Sequence, residues 1–320
     1  METRKLYYED PFQKGFATTV VSCDEVKGGY AVVLAETAFY PEGGGQPYDT
    51  GVLGEANVLE VHEKNGVITH LCDKPFEVGK SVSGKIDWAR RFDHMQQHSG
   101  EHICSGLICE RFHCDNVGFH MGADVVTIDF NADISWDELM EIEQLANLYI
   151  YEDHPIDIQF YRGAELDKVE YRSKKPLEGD VRIVSFPGAD CCACCGTHVA
   201  RSGQVGLVKF LSVQKFRDGV RIELLSGKRA HRYLSECWAQ DVRIAQALSV
   251  KPNASFAGVE RVLAELSALK QRCAKLEESV FAQTAAQYEG KGDMLLFEDE
   301  MSGDSLRKLC DAVTNHCGGR

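Results

Sequence analysis

Two short segments with the spacing of metal ligands constrain the fold of this chain more than any other feature. In the first, His98 and His102 stand four residues apart, so a helix would point both imidazoles from one face. Much later in the chain, Cys194 and His198 repeat that spacing, and Gly196 between them favours a tight turn over a helix. Three imidazoles and one thiolate suit tetrahedral zinc better than magnesium or calcium, which prefer oxygen ligands. We therefore expect the fold to bring the two segments together around one zinc ion.

A glycine-rich loop is the second unusual feature of the sequence. Gly43, Gly44 and Gly45 are consecutive, and such a stretch lets the backbone approach a ligand closely and offers N–H groups to it. The loop is not a nucleotide-binding P-loop, because the lysine of that motif is missing. We predict that these glycines bind substrate, and the alternative is a merely flexible turn.

The three motifs, in this order, resemble those of the alanyl-tRNA editing proteins, free-standing relatives of the editing domain of alanyl-tRNA synthetase. That family pairs a histidine-x-x-x-histidine helix with a later cysteine-x-x-x-histidine, which stands here as Cys194-Cys195-Gly196-Thr197-His198. It also shares the glycine-rich signature, which runs here from Thr37 to Gly51. The resemblance covers about residues 1–228. It implies a cytoplasmic trans-editing hydrolase that acts on alanine tRNA mischarged with serine or glycine.

The resemblance also implies which sulfur binds the zinc. Four neighbouring cysteines form two overlapping C-x-x-C pairs: Cys191, Cys192, Cys194 and Cys195. A zinc ribbon would need a second such pair elsewhere, and the sequence has none. Cys194 keeps the three-residue gap to His198 that the family shares, whereas Cys195 does not. We therefore predict one zinc ion per chain, with the ligands His98, His102, Cys194 and His198.

The reaction that the resemblance implies is hydrolysis of an aminoacyl ester. Zinc can polarise the ester carbonyl and lower the pKa of bound water to about 7. Four protein ligands leave no open position, so either His198 binds weakly or yields to substrate, or the zinc orients the ester while another group handles the water. Selectivity for serine is expected from hydrogen bonds to its hydroxyl. Thr37 and Gln46, which flank the glycine loop, are the candidates for it and are assigned as catalytic residues. Arg91 is assigned to substrate binding as part of a local basic surface.

The first segment also fits a different class of enzyme. His98-Ser99-Gly100-Glu101-His102 matches the H-x-x-E-H pattern of inverted zinc peptidases, in which Glu101 would be the general base. That function would need a downstream glutamate ligand, and it leaves Cys194 and His198 unexplained. A third alternative is a non-catalytic, zinc-stabilised module that binds tRNA. We keep Glu101 among the catalytic candidates.

Composition limits the partners and the location. The net charge of −14 argues against a protein that coats nucleic acid non-specifically, but it allows local basic surfaces. The candidates for such surfaces are Arg90, Arg91, Lys174, Lys175, Lys209, Lys215, Arg217, Arg221, Lys228 and Arg229. No apolar run approaches the length of a membrane span, so no membrane partner is expected. Because no secretory signal is visible, we expect the 13 cysteines to stay reduced in the cytoplasm.

Hydrophobic patterning predicts an α+β fold. Short strands between turn signals favour a small β-barrel at the N-terminus. Helices and largely separate strands follow, including a long helix from residue 88 to about 111 that carries the histidine pair. We predict a β-barrel domain over 1–90, a zinc-binding editing domain over 91–228, a helical hairpin or coiled coil over 229–290, and the start of an incomplete C-terminal domain over 291–320 that opens with a strand at 294–297.

The second helix of the predicted hairpin carries apolar side chains at alternating spacings of three and four. We name this row the heptad seam; its members are Val259, Val262, Leu266, Leu269, Cys273, Leu276 and Val280. Such a repeat predicts a coiled-coil contact, either with the first helix of the hairpin or with another protomer. We therefore expect the seam to be buried, and a homodimer through the C-terminal helices is one way to bury it.

Overall fold

A computed structural model describes residues 2–173, 179–297 and 300–319, so the predicted basic pair Lys174 and Lys175 lies outside the described residues. The described chain is an α+β protein with two compact units, Met1–Leu234 and Ser235–Arg320. Its strands are β1 (Arg4–Lys5), β2 (Gly15–Val26), β3 (Gly29–Leu34), β4 (Glu36–Thr37), β5 (Gly51–Leu53), β6 (Ala56–Lys64), β7 (Val67–Cys72), β8 (Ser81–Ile86), β9 (Asn116–Met121), β10 (Val126–Phe130), β11 (Asp157–Arg162), β12 (Asp180–Phe186), β13 (Asp190–Ala193), β14 (Val208–Phe216) and β15 (Gly219–Ser226). Its α-helices are α1 (Leu6–Glu9), α2 (Trp88–Phe112), α3 (Trp136–Tyr151), α4 (Gly227–Ala247), α5 (Ser255–Gln287) and α6 (Gly303–Cys317).

Six of the described strands of the first unit close into a barrel, in the neighbour order β2-β3-β7-β6-β5-β8. All pairs of neighbours in it are antiparallel. Burial alternates along the first half of β2, which turns Phe16 and Val20 into the interior, as expected for a strand with one face inside a barrel. The N-terminal β-barrel expected from the sequence is therefore present.

Helix α2 forms the centre of the rest of this unit. It spans 25 residues, and the Asp87 side chain caps it by accepting from the Arg90 N–H. α2 contacts α3 and the sheet β14-β15-β10-β9 around one apolar core. Ser135 and Glu138 form a capping box at the start of α3. The smaller sheet β11-β12-β13 also contacts α2 through β13, which brings the cysteine cluster to the histidine helix.

The C-terminal unit is built from helices. α6 begins after Ser302, whose side chain caps it by accepting from the Ser305 N–H, and it packs on the end of α5. The apolar contact between the two helices consists of Phe281, Ala285, Leu309, Val313 and Cys317. The strand predicted at 294–297 is wrong, because these residues have no regular secondary structure in the described chain.

The heptad seam lies on the surface of α5. Its side chains range from 36% exposed at Val259 to 57% exposed at Leu276. The prediction that this seam is buried is therefore wrong for the isolated chain, and the first helix of the hairpin does not cover it. Apolar periodicity predicts that a helix face packs against a partner, but the partner can belong to the same chain or to another one.

Among the described residues, no helix combines the length and the apolar character that crossing a bilayer requires.

Candidate metal centre

Helix α2 presents a row of imidazoles along one face. His94, His98 and His102 follow one another at a spacing of four, and all three are buried. The rings of His98 and His102 stack with their centroids 5.2 Å apart. Phe119 of β9 stacks on His98 at 5.0 Å, and Phe186 of β12 stacks on His102 at 5.2 Å. Packing therefore holds both of these rings in place.

The second segment starts where β13 ends at Ala193. The chain then bends at Gly196 and forms no helix there. A Cβ atom at Gly196 would meet Cε1 of His98 at 2.1 Å, so only glycine lets the backbone come this close to the ring. The Gly196 N–H donates to the sulfur of Cys194 over 3.4 Å. The predicted tight turn thus brings Cys194 and His198 to α2.

Four donor atoms converge where the segments meet. The ligand atoms of the predicted set all lie within 4.8 Å of one another; the set is His98, His102, Cys194 and His198, and we name it the metal centre. The Nε2 atoms of His102 and His198 are buried and have no hydrogen-bond partner among the described residues. Buried polar atoms without partners are costly and call for an explanation. A metal ion of borderline softness fits this nitrogen and sulfur set.

Gln46 determines which nitrogen of His98 faces the metal centre. The Thr197 N–H can only donate, so the Gln46 atom that it contacts at 3.1 Å must be the amide oxygen. The same oxygen lies 2.9 Å from His98 Nδ1, which must therefore carry the proton. Gln46 Nε2 donates in turn to the Thr197 hydroxyl over 2.9 Å. His98 is left with a lone pair on Nε2, which is the atom that can bind a metal.

Asp190 acts on His102 in the same way. Its Oδ2 lies 2.7 Å from His102 Nδ1, and a carboxylate can only accept. Arg172 donates to both carboxylate oxygens, over 2.7 and 2.8 Å. Burial would raise the pKa of Asp190, but the hydrogen bonds from His102 and Arg172 hold it below its ordinary value. The acceptor stays ionised and keeps one proton of His102 on Nδ1, so Nε2 is the atom that can face a metal. Burial lowers the pKa of His102, but Asp190 and Cys194 bring it well above its ordinary value, so a metal would take the place of a proton on Nε2.

His198 has the weakest outer contact of the three imidazoles. Its Nδ1 lies 3.5 Å from Ser99 Oγ, which also accepts from the Val199 N–H over 3.1 Å. Burial lowers the pKa of His198 well below its ordinary value and keeps the ring neutral. The ring is therefore in the form that binds metals, but its orientation is held less firmly than those of His98 and His102.

Cys194 is the cysteine whose sulfur faces the imidazoles, at 3.4 Å from His98 Nε2. Burial would raise its pKa, but His98 and His198 bring the pKa well below its ordinary value and favour the thiolate. Its neighbour Cys195 is exposed and is not part of the converging group.

A second group of side chains with metal-binding atoms, His102, Asp190 and Cys192, overlaps the first. Both oxygens of Asp190 are already used by His102 and Arg172. Burial raises the pKa of Cys192 to about 12, which favours its thiol form. This group therefore supports the orientation of His102 and does not form a separate metal site.

A cavity of about 500 Å³ lies beside the metal centre, whose residues His98, His102 and Cys194 form part of its wall. Glu101 and Asn116 line the same cavity and are buried. Its volume is in the range of pockets that hold small ligands. The cavity can therefore hold a small polar group within reach of the metal centre.

A short hydrogen-bond network fixes one side of this cavity. Oε1 of Glu101 accepts from the Ser105 hydroxyl over 2.6 Å and from Asn116 Nδ2 over 2.8 Å. In the described part of the chain, no group donates to Oε2 of Glu101 or to the buried Oδ1 of Asn116. Two acceptor oxygens of residues that line the cavity thus remain without a donor.

Three residues of the site were not found from the sequence. Asn116 begins β9, a strand that the sequence patterns do not predict. Asp190 directly precedes the cysteine cluster. An acidic residue beside a ligand motif could have indicated a carboxylate that orients a histidine ligand. Arg182 lines the cavity, is 6% exposed, and has an Nε atom without a partner among the described residues. Its signal was a cation within the apolar strand β12.

Thr37, a candidate for reading the serine hydroxyl, is placed in the core of the barrel. Its hydroxyl lies 2.8 Å from His70 Nε2 and accepts from the Phe39 N–H over 3.1 Å. Thr37 does not line the cavity beside the metal centre, whereas Gln46 touches a ligand of that centre directly. The structure therefore brings only Gln46 of these two to the site.

The glycine loop is a tight turn rather than an open cradle. Gly43 and Gln46 exchange two backbone hydrogen bonds of 3.0 and 3.1 Å, and Gly45 accepts one from the Met121 N–H over 3.1 Å. Gly44 and Gly45 both have positive φ angles. Of the three glycines, Gly44 lines the cavity.

Arg91, predicted to bind substrate, lies in the interior and has no exposed surface. Its guanidinium forms an ion pair with the equally buried Asp49. It also donates to the backbone oxygens of Ala38 and Pro11, over 2.6 and 2.9 Å. This placement ties α2 to the N-terminal part of the chain and does not support a contact with substrate.

Two family models match parts of the chain. Residues 9–90 match the model described as tRNA synthetases class II (A), and residues 181–223 match the threonyl and alanyl tRNA synthetase second additional domain. The alanine–tRNA ligase of Pyrococcus abyssi is 36% identical over 98% of this chain. That match covers 36% of the ligase, so the chain spans little more than a third of the length of such relatives.

Two shorter relatives match over most of their own length. The alanyl-tRNA editing protein Aarsd1-B of Xenopus laevis is 30% identical, over 97% of this chain and 79% of the relative. The alanyl-tRNA editing protein AlaX-L of Pyrococcus horikoshii is 31% identical, over 94% of this chain and 75% of the relative.

Proposed function

The chain belongs to the family of alanyl-tRNA editing proteins, and on that premise we propose that it is a trans-editing hydrolase of the cytoplasm. Its substrate would be alanine tRNA mischarged with serine, with the glycine-charged form as a second substrate. The reaction would free the tRNA for correct charging and so protect the fidelity of translation. The barrel and the region over 91–228 would form the editing part of the chain.

The observation that carries this proposal is the fixed orientation of two imidazoles. Gln46 and Asp190 hold the protons of His98 and His102 on Nδ1, so that both Nε2 atoms turn to the thiolate of Cys194. We propose that the metal centre binds one zinc ion per chain, because tetrahedral zinc accepts this donor set. Bound zinc would supply a Lewis acid next to the ester of the substrate.

Glu101 would move the proton of the reaction. Hydrolysis adds water to the carbonyl carbon of the ester and breaks its bond to the ribose oxygen, so one proton passes from the water to the leaving oxygen. We assign this transfer to Oε2 of Glu101, because Ser105 and Asn116 hold the other oxygen in place.

Asn116 would read the hydroxyl of serine. Its Oδ1 is buried and lacks a donor among the described residues, and a serine hydroxyl would supply one. Alanine would leave this oxygen unpaired, and sites of this kind discriminate by roughly 10⁴–10⁵ in the best cases. Glycine cannot make the contact either, so we expect serine to be the preferred amino acid.

The first prediction tests this function. The zinc-loaded protein should hydrolyse serine-charged alanine tRNA at least about 100-fold faster, in kcat/KM, than alanine-charged tRNA, because only serine satisfies Asn116. Release of radiolabelled amino acid from the two tRNAs measures the ratio. Equal rates on both, or no hydrolysis of either, would refute the proposed function.

The same assay separates the alternatives. An inverted zinc peptidase would cleave peptides and spare both tRNAs, but it needs a glutamate ligand, and the converging group holds a thiolate and a third imidazole instead. A non-catalytic module would bind alanine tRNA and release no amino acid. A non-catalytic module also leaves unexplained the network that positions Glu101 in the cavity.

We further propose that the heptad seam pairs with the seam of a second copy in a homodimer. Its valines and leucines are 36–57% exposed. The helix α5 is 33 residues long, which allows several heptads of contact. A second α5 carries the matching repeat, so a symmetric coiled coil would cover the apolar row on both copies.

The second prediction concerns this dimer. Leu266→Asp should convert the dimer to monomer, because the carboxylate would be buried in an apolar contact. Sedimentation velocity measures the change, and Gln271→Asp, on the opposite face of α5, is the matched control. A monomeric wild-type protein, or a Leu266→Asp variant that stays dimeric, would contradict the proposal.

A further inference from the structure

A second cavity, of about 400 Å³, lies along α2 beyond the metal centre. Four cations line it: Arg90, Lys228, Arg229 and Arg232. Asp93 is the one carboxylate of its wall, and its oxygens are taken up by Arg229 at 2.7–3.0 Å. The excess of positive charge is local, because the chain as a whole has a net charge of −14. A cavity of this kind favours an anion.

The start of α4 adds to the positive field. Lys228 and Arg229 occupy its first turn, which contains no acidic residue. The N-terminal end of a helix carries partial positive charge, so cations there are unfavourable and anions are favourable. The sequence at this helix end therefore favours an anion near Lys228 and Arg229.

His94 is an independent sign of a ligand. It lines the cavity, is 2% exposed, and its Nδ1 has no partner in the described chain. Burial and the charges of Arg90 and Arg229 lower the pKa of His94 to about 3, so the ring is neutral. A neutral imidazole can give a hydrogen bond to an anion without adding charge.

Part of the positive charge remains free to act on a ligand. Arg229 is used by Asp93 and by the backbone oxygen of Gly122. Arg90 donates through Nε to the backbone oxygen of Tyr48. The N–H groups on its Nη1 and Nη2 atoms can therefore donate to a ligand. Lys228 is exposed, and no described side chain pairs with its ammonium group.

We propose that this cavity binds a phosphodiester of the single-stranded 3′ end of the tRNA, on the 5′ side of the aminoacylated nucleotide. Arginine, lysine and neutral N–H donors are the usual partners of nucleic-acid phosphates. His94 and His98 lie one helical turn apart on the same face of α2, so the cavity lies next to the metal centre. Pro47 of this cavity follows Gln46, which orients His98. The inference rests on the proposed function and adds the site that holds the RNA.

The test measures binding of unacylated RNA, so it is independent of hydrolysis. One oligonucleotide ends in CCA, and a second carries an uncharged methylphosphonate in place of the phosphodiester before the terminal adenosine. The wild-type protein should bind the methylphosphonate oligonucleotide roughly 3- to 10-fold more weakly than the unmodified one. Lys228→Glu should weaken binding of the unmodified oligonucleotide by at least the same factor. The variant should also bind both oligonucleotides equally, because the ammonium group that interacts with the phosphodiester is gone.

Lys80→Glu is the matched control, since Lys80 is a largely exposed lysine that does not line the cavity. Lys228→Glu should melt no lower than wild type, because it places an acidic residue at a helix start. Equal affinity of wild type for both oligonucleotides, or unchanged sensitivity in Lys228→Glu, would overturn the inference. Tight binding of inorganic phosphate without any effect of the methylphosphonate would assign the cavity to free phosphate and overturn it too. Loss of deacylation with this binding intact would refute only the proposed function.

Discussion

Cys194→Ala is expected to leave the purified protein without stoichiometric zinc and to bring hydrolysis of serine-charged alanine tRNA down to background. The thiolate is the one anionic donor of the metal centre, and zinc binds cysteine in this form. Without it, the centre keeps three neutral imidazoles and loses its anionic ligand, so its affinity for a divalent cation should fall. Metal content measured by mass spectrometry tests the loss directly, and the deacylation assay follows its consequence.

Neighbouring cysteines provide matched controls for this substitution. Cys191→Ala and Cys192→Ala should keep zinc and activity, because neither sulfur belongs to the metal centre. Cys195→Ala should keep zinc as well, since that side chain is exposed. Full zinc content in Cys194→Ala together with zinc loss in Cys195→Ala would show that the wrong sulfur was assigned.

The members of the metal centre could be proposed from the sequence because their spacings are local. His98 and His102 share a helix face, and Gly196 lies between Cys194 and His198 in a turn that only glycine permits. The meeting of the two segments has no local signal. The family resemblance predicted that the two segments lie together, because residue spacing alone does not show which distant segments a fold brings into contact.

The groups that orient the ligands could not be found in this way. Gln46 is separated from His98 by 52 residues, and Asp190 from His102 by 88. Their contacts depend on where the barrel and β13 lie against α2, and periodicity carries no such information. The position of Gln46 next to the glycines predicted that it belongs to the site, but it did not predict that Gln46 orients His98.

Arg91 and the heptad seam show two other limits of sequence reasoning. A pair of arginines in a sequence suggests a basic surface, but Arg91 is completely buried because Asp49 lies opposite it. An apolar heptad repeat suggests a buried face, yet the seam is exposed in the isolated chain. In both cases the sequence shows which chemistry a side chain needs, and the fold or a second molecule decides what supplies it.

Glu101→Gln is expected to lower kcat for deacylation by roughly 10²–10⁴, the range in which general acid–base catalysis contributes. Glutamine has the shape of glutamate and keeps an oxygen that can accept from Ser105 and Asn116. It cannot take a proton from water near neutral pH, so the change removes basicity with little change in packing. Zinc content should stay stoichiometric, because Glu101 is not in the metal centre.

Single-turnover and steady-state rates on serine-charged alanine tRNA measure this effect, with Glu110→Gln as the control on an exposed position of the same helix. The division between kcat and KM identifies the role of Glu101. A fall in kcat with little change in KM supports proton transfer, whereas a rise in KM at unchanged kcat would mean that the carboxylate only holds the substrate, for example through its ammonium group. Zinc loss in Glu101→Gln would instead show that this carboxylate is a zinc ligand. The assignment of the four donors His98, His102, Cys194 and His198 would then be incorrect.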